Sequence, residues 1–221
     1  MNTRLQKSPT LRRQRVNSLG VGLFVLSAIL ISMAATCLAD PVAVFDIQWG
    51  KGKDRQKRIF AIAFYEADAP QTAANFKKLV QDGFYDHTTF HRVFPNYLVQ
   101  GGDPLSKKKD RSVMGTGGPG YTLAPEIRRK HLRGSVAMGR LPDKVNPNRL
   151  SNGSQFYICL QPIPSQDGQD TIFGEVVSGL SALDEISHLQ ADTNANPIDP
   201  VEVTRTYLID RSQLGHPIPV K

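Results

Sequence analysis

Eight short runs rich in β-branched and aromatic residues fill most of the chain from residue 42 onward, and they restrict it to a mainly β fold. They read VAVFDIQW (42–49), RIFAIAFY (58–65), TFHRVF (89–94), YLVQ (97–100), GSVAMG (134–139), SQFYICL (154–160), TIFGEVV (171–177) and VEVTRTYLI (201–209). Clusters of Gly, Pro, Asn or Asp separate them, and Lys51-Gly52-Lys53-Asp54 predicts a hairpin turn between the first two. Two segments break the pattern. PQTAANFKKLVQDG (70–83) opens on proline, stops at glycine and sets Ala73, Phe76, Leu79 and Val80 at helical spacing. SGLSALDEISHL (178–189) places Leu180, Leu183, Ile186 and Leu189 near one face, with Ser178 or Ser181 as the expected N-cap. Eight strands and two helices suggest a closed sheet with a helix over each open end. Periodicity alone does not choose between a barrel and a sandwich.

The first 39 residues differ in kind. Arg4, Lys7, Arg12, Arg13 and Arg15 precede the apolar run LGVGLFVLSAILISMAATCLA (19–39). A basic start, an apolar stretch and small residues before Asp40 are the parts of a secretory signal. The run is also near the length that spans a bilayer, so an uncleaved membrane anchor is the alternative. Cys37 raises a lipoprotein reading, against which Ala34-Ala35-Thr36 is a poor lead-in. Residues 1–39 are expected to be a signal peptide or anchor, 40–210 one domain and 211–221 a flexible tail. The protein is thereby expected to be exported, periplasmic or secreted.

The whole chain has 27 Lys and Arg against 20 Asp and Glu. Without the five early basic residues, 22 oppose 20, so the high isoelectric point belongs largely to the leader and argues for no nucleic-acid footprint. The run Lys107-Lys108-Lys109-Asp110-Arg111 reads as a solvated loop. Cys159, the one cysteine outside the leader, lies in an apolar run and reads as a buried thiol.

Several motifs fail on context. Gly115-Thr116-Gly117-Gly118-Pro119-Gly120 matches a dinucleotide fingerprint, but Pro119, Gly120 and Pro125 oppose the helix it must open, which leaves a glycine-rich surface loop. His87 and His91 have the spacing of helical metal ligands, yet Thr88-Thr89-Phe90 between them favours a strand, and both read as ordinary strand histidines. Ser154 is not in a nucleophile elbow.

FHRVFPNYLVQGGD, GTGGPGY, RGSVAMGR, NGSQFYI and DGQDTIFGEVVSGL together, and in this order, resemble the successive motifs of the cyclophilin family of peptidyl-prolyl cis-trans isomerases. The resemblance runs from about residue 42 to 209. It implies an eight-stranded antiparallel β-barrel capped by two helices and an activity on X–Pro bonds of polypeptides, with neither metal nor other cofactor. The partners it implies are proline-containing segments of folding exported proteins, met by a monomer.

That chemistry makes and breaks no bond. Amide resonance sets a rotation barrier of about 18–20 kcal/mol, and uncatalysed prolyl exchange takes on the order of tens to hundreds of seconds. In the twisted state the prolyl nitrogen regains its lone pair, and a fixed cationic donor aimed there favours that state over either planar isomer. By the resemblance Arg92 is the catalytic residue, and Gln100 orients it and holds the substrate backbone. The proline ring would enter a pocket of Tyr97, Leu98, Met138 and Tyr157, with Phe156 and Phe173 behind or beside them and Gly139 and Arg140 on the rim.

The chain also departs from the family. Tyr97 and Tyr157 stand where Phe is usual, and Leu98 where Met is. Ser165, Gln166 and Asp170 replace a large aromatic, Leu, and His or Tyr on the far rim. One wall is therefore expected to be thin and polar unless Ile163 or Pro164 fills it, with an altered peptide preference and weak cyclosporin sensitivity. The same polar rim supports a second reading, a peptide-binding or chaperone module of low catalytic activity.

Overall fold

The structure, a computed structural model, describes residues 39–108 and 110–215. Residues 1–38 of the expected leader and the last six residues of the tail lie outside it. Strand β1 (Pro41–Trp49) leads through the turn at Gly52–Asp54 to β2 (Gln56–Phe64), and helix α1 (Pro70–Gln81) follows. Then come β3 (Thr89–Phe90), β4 (Arg92–Phe94), β5 (Leu98–Gly101), β6 (Ser135–Met138), β7 (Phe156–Cys159) and β8 (Ile172–Ser178). Helix α2 (Leu180–Ser187) and β9 (Val201–Asp210) complete the set.

All pairings are antiparallel, in the order β3-β9-β1-β2-β8-β6-β7-β5-β4. The two ends of that order are consecutive in the chain, with only His91 between them. One stretch of backbone therefore pairs with β9 on one side and with β5 on the other, and the sheet returns to its start. Eight strand-like runs become nine strands because TFHRVF is divided at His91. The helices pack where amphipathicity sends them, α1 against β8 and β9 and α2 against β2, β4 and β5.

Strand alternation sorts the side chains. Ala43, Phe45, Ile47 and Trp49 of β1 face the interior with Phe60 and Ile62 of β2, while Val42 and Val44 join Ala61, Ala63 and Ile209 on the other face. That outer cluster is partly covered by Leu214, brought over it by the turn at Arg211–Gln213. The interior is aromatic. Phe45 stacks on Phe60 at 4.9 Å, and Phe76 of α1 lies 4.7 Å from Phe173 and 5.3 Å from Phe156 between ring centroids.

The helix ends are handled differently from the sequence expectation. Neither Ser178 nor Ser181 caps α2. Gly179 does, at φ +77°, because the chain turns there directly against β2, and a Cβ would sit 2.1 Å from the Ile59 carbonyl oxygen. At α1 no N-cap side chain bonds the open amides. Glu126, from a distant loop, accepts from the Gln71 and Thr72 amides at 3.1 and 2.9 Å, which sets a negative charge on the helix N-terminus.

The two histidines are also not ordinary strand residues. His87 sits in a turn at φ +65° with Nδ1 2.8 Å from Glu202. His91 interrupts the strand, is 4% exposed, and has no hydrogen-bond partner on either ring nitrogen. Burial pushes its pKa down to about 4, against the opposing pull of the Asp103 charge. A histidine neutral when folded but titrating near its usual 6.5 when unfolded leaves full stability above that value and loses it as pH falls toward 4. The expected loss is about 3 kcal/mol across that window, read by urea denaturation at stepped pH. A His91→Gln variant should lack this component of the slope. Cys159 is fully buried as expected, and burial and then the Asp170 charge push its thiol up to about 12.

Candidate active site

The β4–β5 hairpin turns at Pro95-Asn96, with Asn96 at φ +56°. Its register sets Arg92 directly opposite Gln100, Gln100 opposite Tyr157 of β7, and Tyr157 opposite Ala137 of β6. Facing residues share a side of the sheet, so these form one row across its outer surface. Arg92 is exposed, its guanidinium carbon 4.9 Å above the Phe94 ring, and its Nη1 donates to Gln100 Oε1 at 3.4 Å.

A residue not singled out from the sequence decides which way Gln100 points. Gln155, 4% exposed, donates through Nε2 to the carbonyl oxygens of Gly115 and Gly117 at 2.9 and 2.8 Å. Its Oε1 must then face Gln100 Nε2, 3.0 Å away, which leaves the Gln100 oxygen turned to Arg92. The glycine-rich loop is thus a source of fixed carbonyls. It is held in turn by the buried Asp103 carboxylate, which accepts from Leu105 N at 2.7 Å and from the Gly115 and Gly117 amides. A Cβ on Gly117 would fall 2.2 Å from Asp103.

Beside this row lies a cavity of about 290 Å³ bounded by Arg92, Leu98, Gln100, Gly139, Arg140, Tyr157, Gln166 and Asp170. A second cavity of about 340 Å³ shares Arg92, Gln100, Gly139 and Arg140 and extends to Val145, Asn146 and Gln155. Gly139 and Arg140 thus border both. Beneath the first cavity, Tyr157, Cys159, Ile163, Ile172, Tyr97 and Leu98 form an apolar cluster.

The family model for cyclophilin type peptidyl-prolyl cis-trans isomerases matches residues 48–208. The chain belongs to this family. A curated peptidyl-prolyl cis-trans isomerase of Synechococcus elongatus is 44% identical over 123 residues, 55% of this chain and 76% of that protein. One of Arabidopsis thaliana is 37% identical over 154 residues, 68% of this chain and 88% of its own. Among solved structures, a cyclophilin type isomerase of Cryptosporidium parvum superposes with a TM-score of 0.64 at 26% identity, covering 78% of this chain and 98% of that one. A second structure of that protein, in the presence of the dipeptide Ala-Pro, gives a TM-score of 0.61.

Against the cyclophilin pattern, the structure gathers Arg92, Gln100, Leu98, Tyr157, Gly139 and Arg140 at the cavity, with Tyr97 half-buried in the cluster beneath. Met138 is the correction. Expected on the pocket wall, it is fully buried in the interior with Phe156 and Phe173, because a strand period of two that turns Ala137 and Tyr157 outward turns Met138 and Phe156 inward. Phe156 and Phe173 do not line the cavity and share that interior cluster.

The far wall is polar. Ile163 lies in the cluster beneath and Ser165 is exposed, so Gln166 and Asp170 form that side. The Tyr157 hydroxyl donates to Asp170 Oδ2 at 2.8 Å, and Arg140 Nε donates to Asp170 Oδ1 at 2.7 Å. Burial, and then the Asp170 charge, holds the Tyr157 phenol well above its usual range. Arg111, expected in a solvated loop, is instead tied to Asp192 and to the carbonyls of Asn196 and Pro197.

The Gln155 arrangement carries its own prediction. Gln155→Leu takes the donor from two carbonyls and the acceptor from Gln100. Losing one or two neutral hydrogen bonds at the site corresponds to about a tenfold fall in kcat/KM. Steady-state kinetics on a proline tetrapeptide would measure it, and wild-type activity in this variant would show that Gln100 holds its orientation unaided.

Proposed function

We propose that the protein isomerises X–Pro bonds of exported polypeptides at the cavity beside Arg92. The observation that carries this is the cross-strand placement of an exposed guanidinium at the mouth of a cavity with room for a proline ring. The proline ring would enter against Leu98 and Tyr157, with the prolyl nitrogen under Arg92. As the amide twists, the nitrogen lone pair becomes an acceptor and the guanidinium donates to it. Gln100, oriented by Gln155, keeps the guanidinium in place and offers its amide to the substrate backbone. The Cryptosporidium isomerase structure obtained in the presence of Ala-Pro supports a proline-containing ligand. The export context rests on residues 1–39 alone, read as a signal or anchor.

The test is refolding of a protein limited by a proline step. The wild type should accelerate the slow phase, and no acceleration at any enzyme concentration would sink the enzymatic reading. One observation favours the second reading, a binding or chaperone module of low activity. The wall of Gln166 and Asp170 offers a proline ring less apolar contact than an aromatic would. The module reading predicts slowed aggregation of unfolded clients with an unchanged proline phase. The same wall predicts weak cyclosporin inhibition; a constant as tight as that of cyclophilins with the aromatic wall would show that the wall does not matter to that ligand.

A further inference from the structure

Below the cavity, the residues behind Tyr157 form a line of hydrogen bonds whose protons can be counted. Asp167 Oδ1 lies 3.2 Å from His131 Nδ1, His131 Nε2 lies 2.8 Å from the Tyr157 hydroxyl, and that hydroxyl lies 2.8 Å from Asp170 Oδ2. An ionised carboxylate can only accept, and a phenol has one hydrogen to give. If that hydrogen goes to Asp170, the Tyr157 oxygen must accept from Nε2. Nδ1 faces the other carboxylate and must donate as well. With both carboxylates ionised, as the Arg140 Nε donor to Asp170 favours, every contact in the line is satisfied only when both ring nitrogens carry hydrogen.

We propose that His131 is an imidazolium in the substrate-ready state and is the positioning residue for the Tyr157–Asp170 wall of the proline site. The inference rests on the reading of that cavity as the proline site. The ring is fully buried, so its charge needs partners, and it has them. Asp167 faces it from the turn before β8, and the His131 backbone amide also donates to Asp167 at 2.7 Å. Tyr157 faces it from β7, the two rings parallel within 2° and 5.9 Å apart. The surrounding titratable and charged groups are Cys159 on β7, Lys130 beside it in the chain, and Asp170 with Arg140 beyond the phenol. With His131 charged, the linked acids Asp143, Asp167 and Asp170 are balanced by Arg140, Arg149 and His131.

Loss of the Nε2 proton to solvent changes one thing. The bare nitrogen becomes an acceptor, and the Tyr157 hydrogen turns to it and leaves Asp170 Oδ2. A buried carboxylate oxygen then stands without that donor in the wall the proline ring must cover. Substrate binding weakens while the Arg92 chemistry is untouched. The tighter-binding form is therefore the one that carries the Nε2 proton.

The experiment joins two measurements on the full protein. Nitrogen-15 correlation spectra of the imidazole ring, from pH 5 to pH 9, should show both His131 nitrogens protonated at the acid end. Kinetics on an Ala-Pro tetrapeptide should show KM rising about tenfold as that signal changes, with kcat moving less than about twofold. His131→Gln keeps a donor that does not titrate, so its KM should stay near the wild-type acid value at every pH. A neutral ring throughout the range overturns the proposal, and so does a KM profile that is the same in wild type and variant. If His131→Gln does not fold, Tyr157→Phe replaces it, because removing the hydroxyl should likewise flatten the profile. An imidazolium signal with no peptide binding at any pH overturns the proposed coupling too. In that case the failure lies in the assignment of the cavity, because the proton count itself would have been met.

Discussion

Arg92→Ala is expected to lower kcat/KM for an Ala-Pro peptide by about 100-fold or more, the scale on which one preorganised donor at a developing charge is felt. On the proposed role the loss should fall mainly in kcat, because the guanidinium would meet a lone pair that exists only in the twisted amide. Arg92→Lys keeps the charge but not the planar fork held by Gln100 Oε1 and the Phe94 ring, and should recover only part of the rate. Because Arg92 is exposed, neither variant should shift the melting temperature by more than a degree or two. A protease-coupled isomerisation assay with a parallel melting curve checks both halves. Equal activity in wild type and Arg92→Ala would remove the arginine from the mechanism.

Phe76→Ala should destabilise the domain more than any of the site substitutions above. The ring is fully buried on α1 and contacts Phe45, Phe64, Tyr85, Phe156 and Phe173 at centroid distances between 4.7 and 6.1 Å. Removing a ring from such a setting costs about 3–5 kcal/mol, through lost burial and the cavity left behind. In a domain of this size that lowers the melting temperature by about 10 °C. Phe76→Leu should cost less than half as much. Phe156, one of its partners, is next in sequence to Tyr157, so residual activity at low temperature would report how far the repacking reaches the site. A loss below about 1 kcal/mol would mean that the aromatic cluster closes around the gap.

The strand runs and both helices are legible in the sequence because each is local, a pattern of two or 3.6 readable in a dozen residues. Arg92 and Gln100 are legible through the resemblance of FHRVFPNYLVQGGD to a family motif, and the short hairpin sets the two opposite each other. Met138 is not, because a strand's pattern does not by itself say which face looks outward. Met138 and Tyr157 cannot both do so when Ala137 pairs with Tyr157 and Met138 with Phe156. At the start of α2 a serine side chain is the usual device, whereas the approach of β2 leaves room only for glycine. The Gln155 clamp and the His131 line are not legible even in outline. Their members come from loops tens of residues apart, and no period relates Gly115 to Gln155 or His131 to Asp170.

The return of the sheet through residues 89–94 has a consequence for biosynthesis. β3 has no partner until β9, the last strand among the described residues, is available, and β1, already paired with β2, gains its second neighbour from the same strand. Such distant pairings are slow because loop closure must precede any gain from contact. A nascent chain stopped before residue 201 would have the hairpin that carries Arg92 but an open seam one residue away from it. The enzyme should therefore acquire activity late and abruptly, after β9 has left the ribosome. Its own maturation would then be timed by β9 and not by the hairpin that carries Arg92.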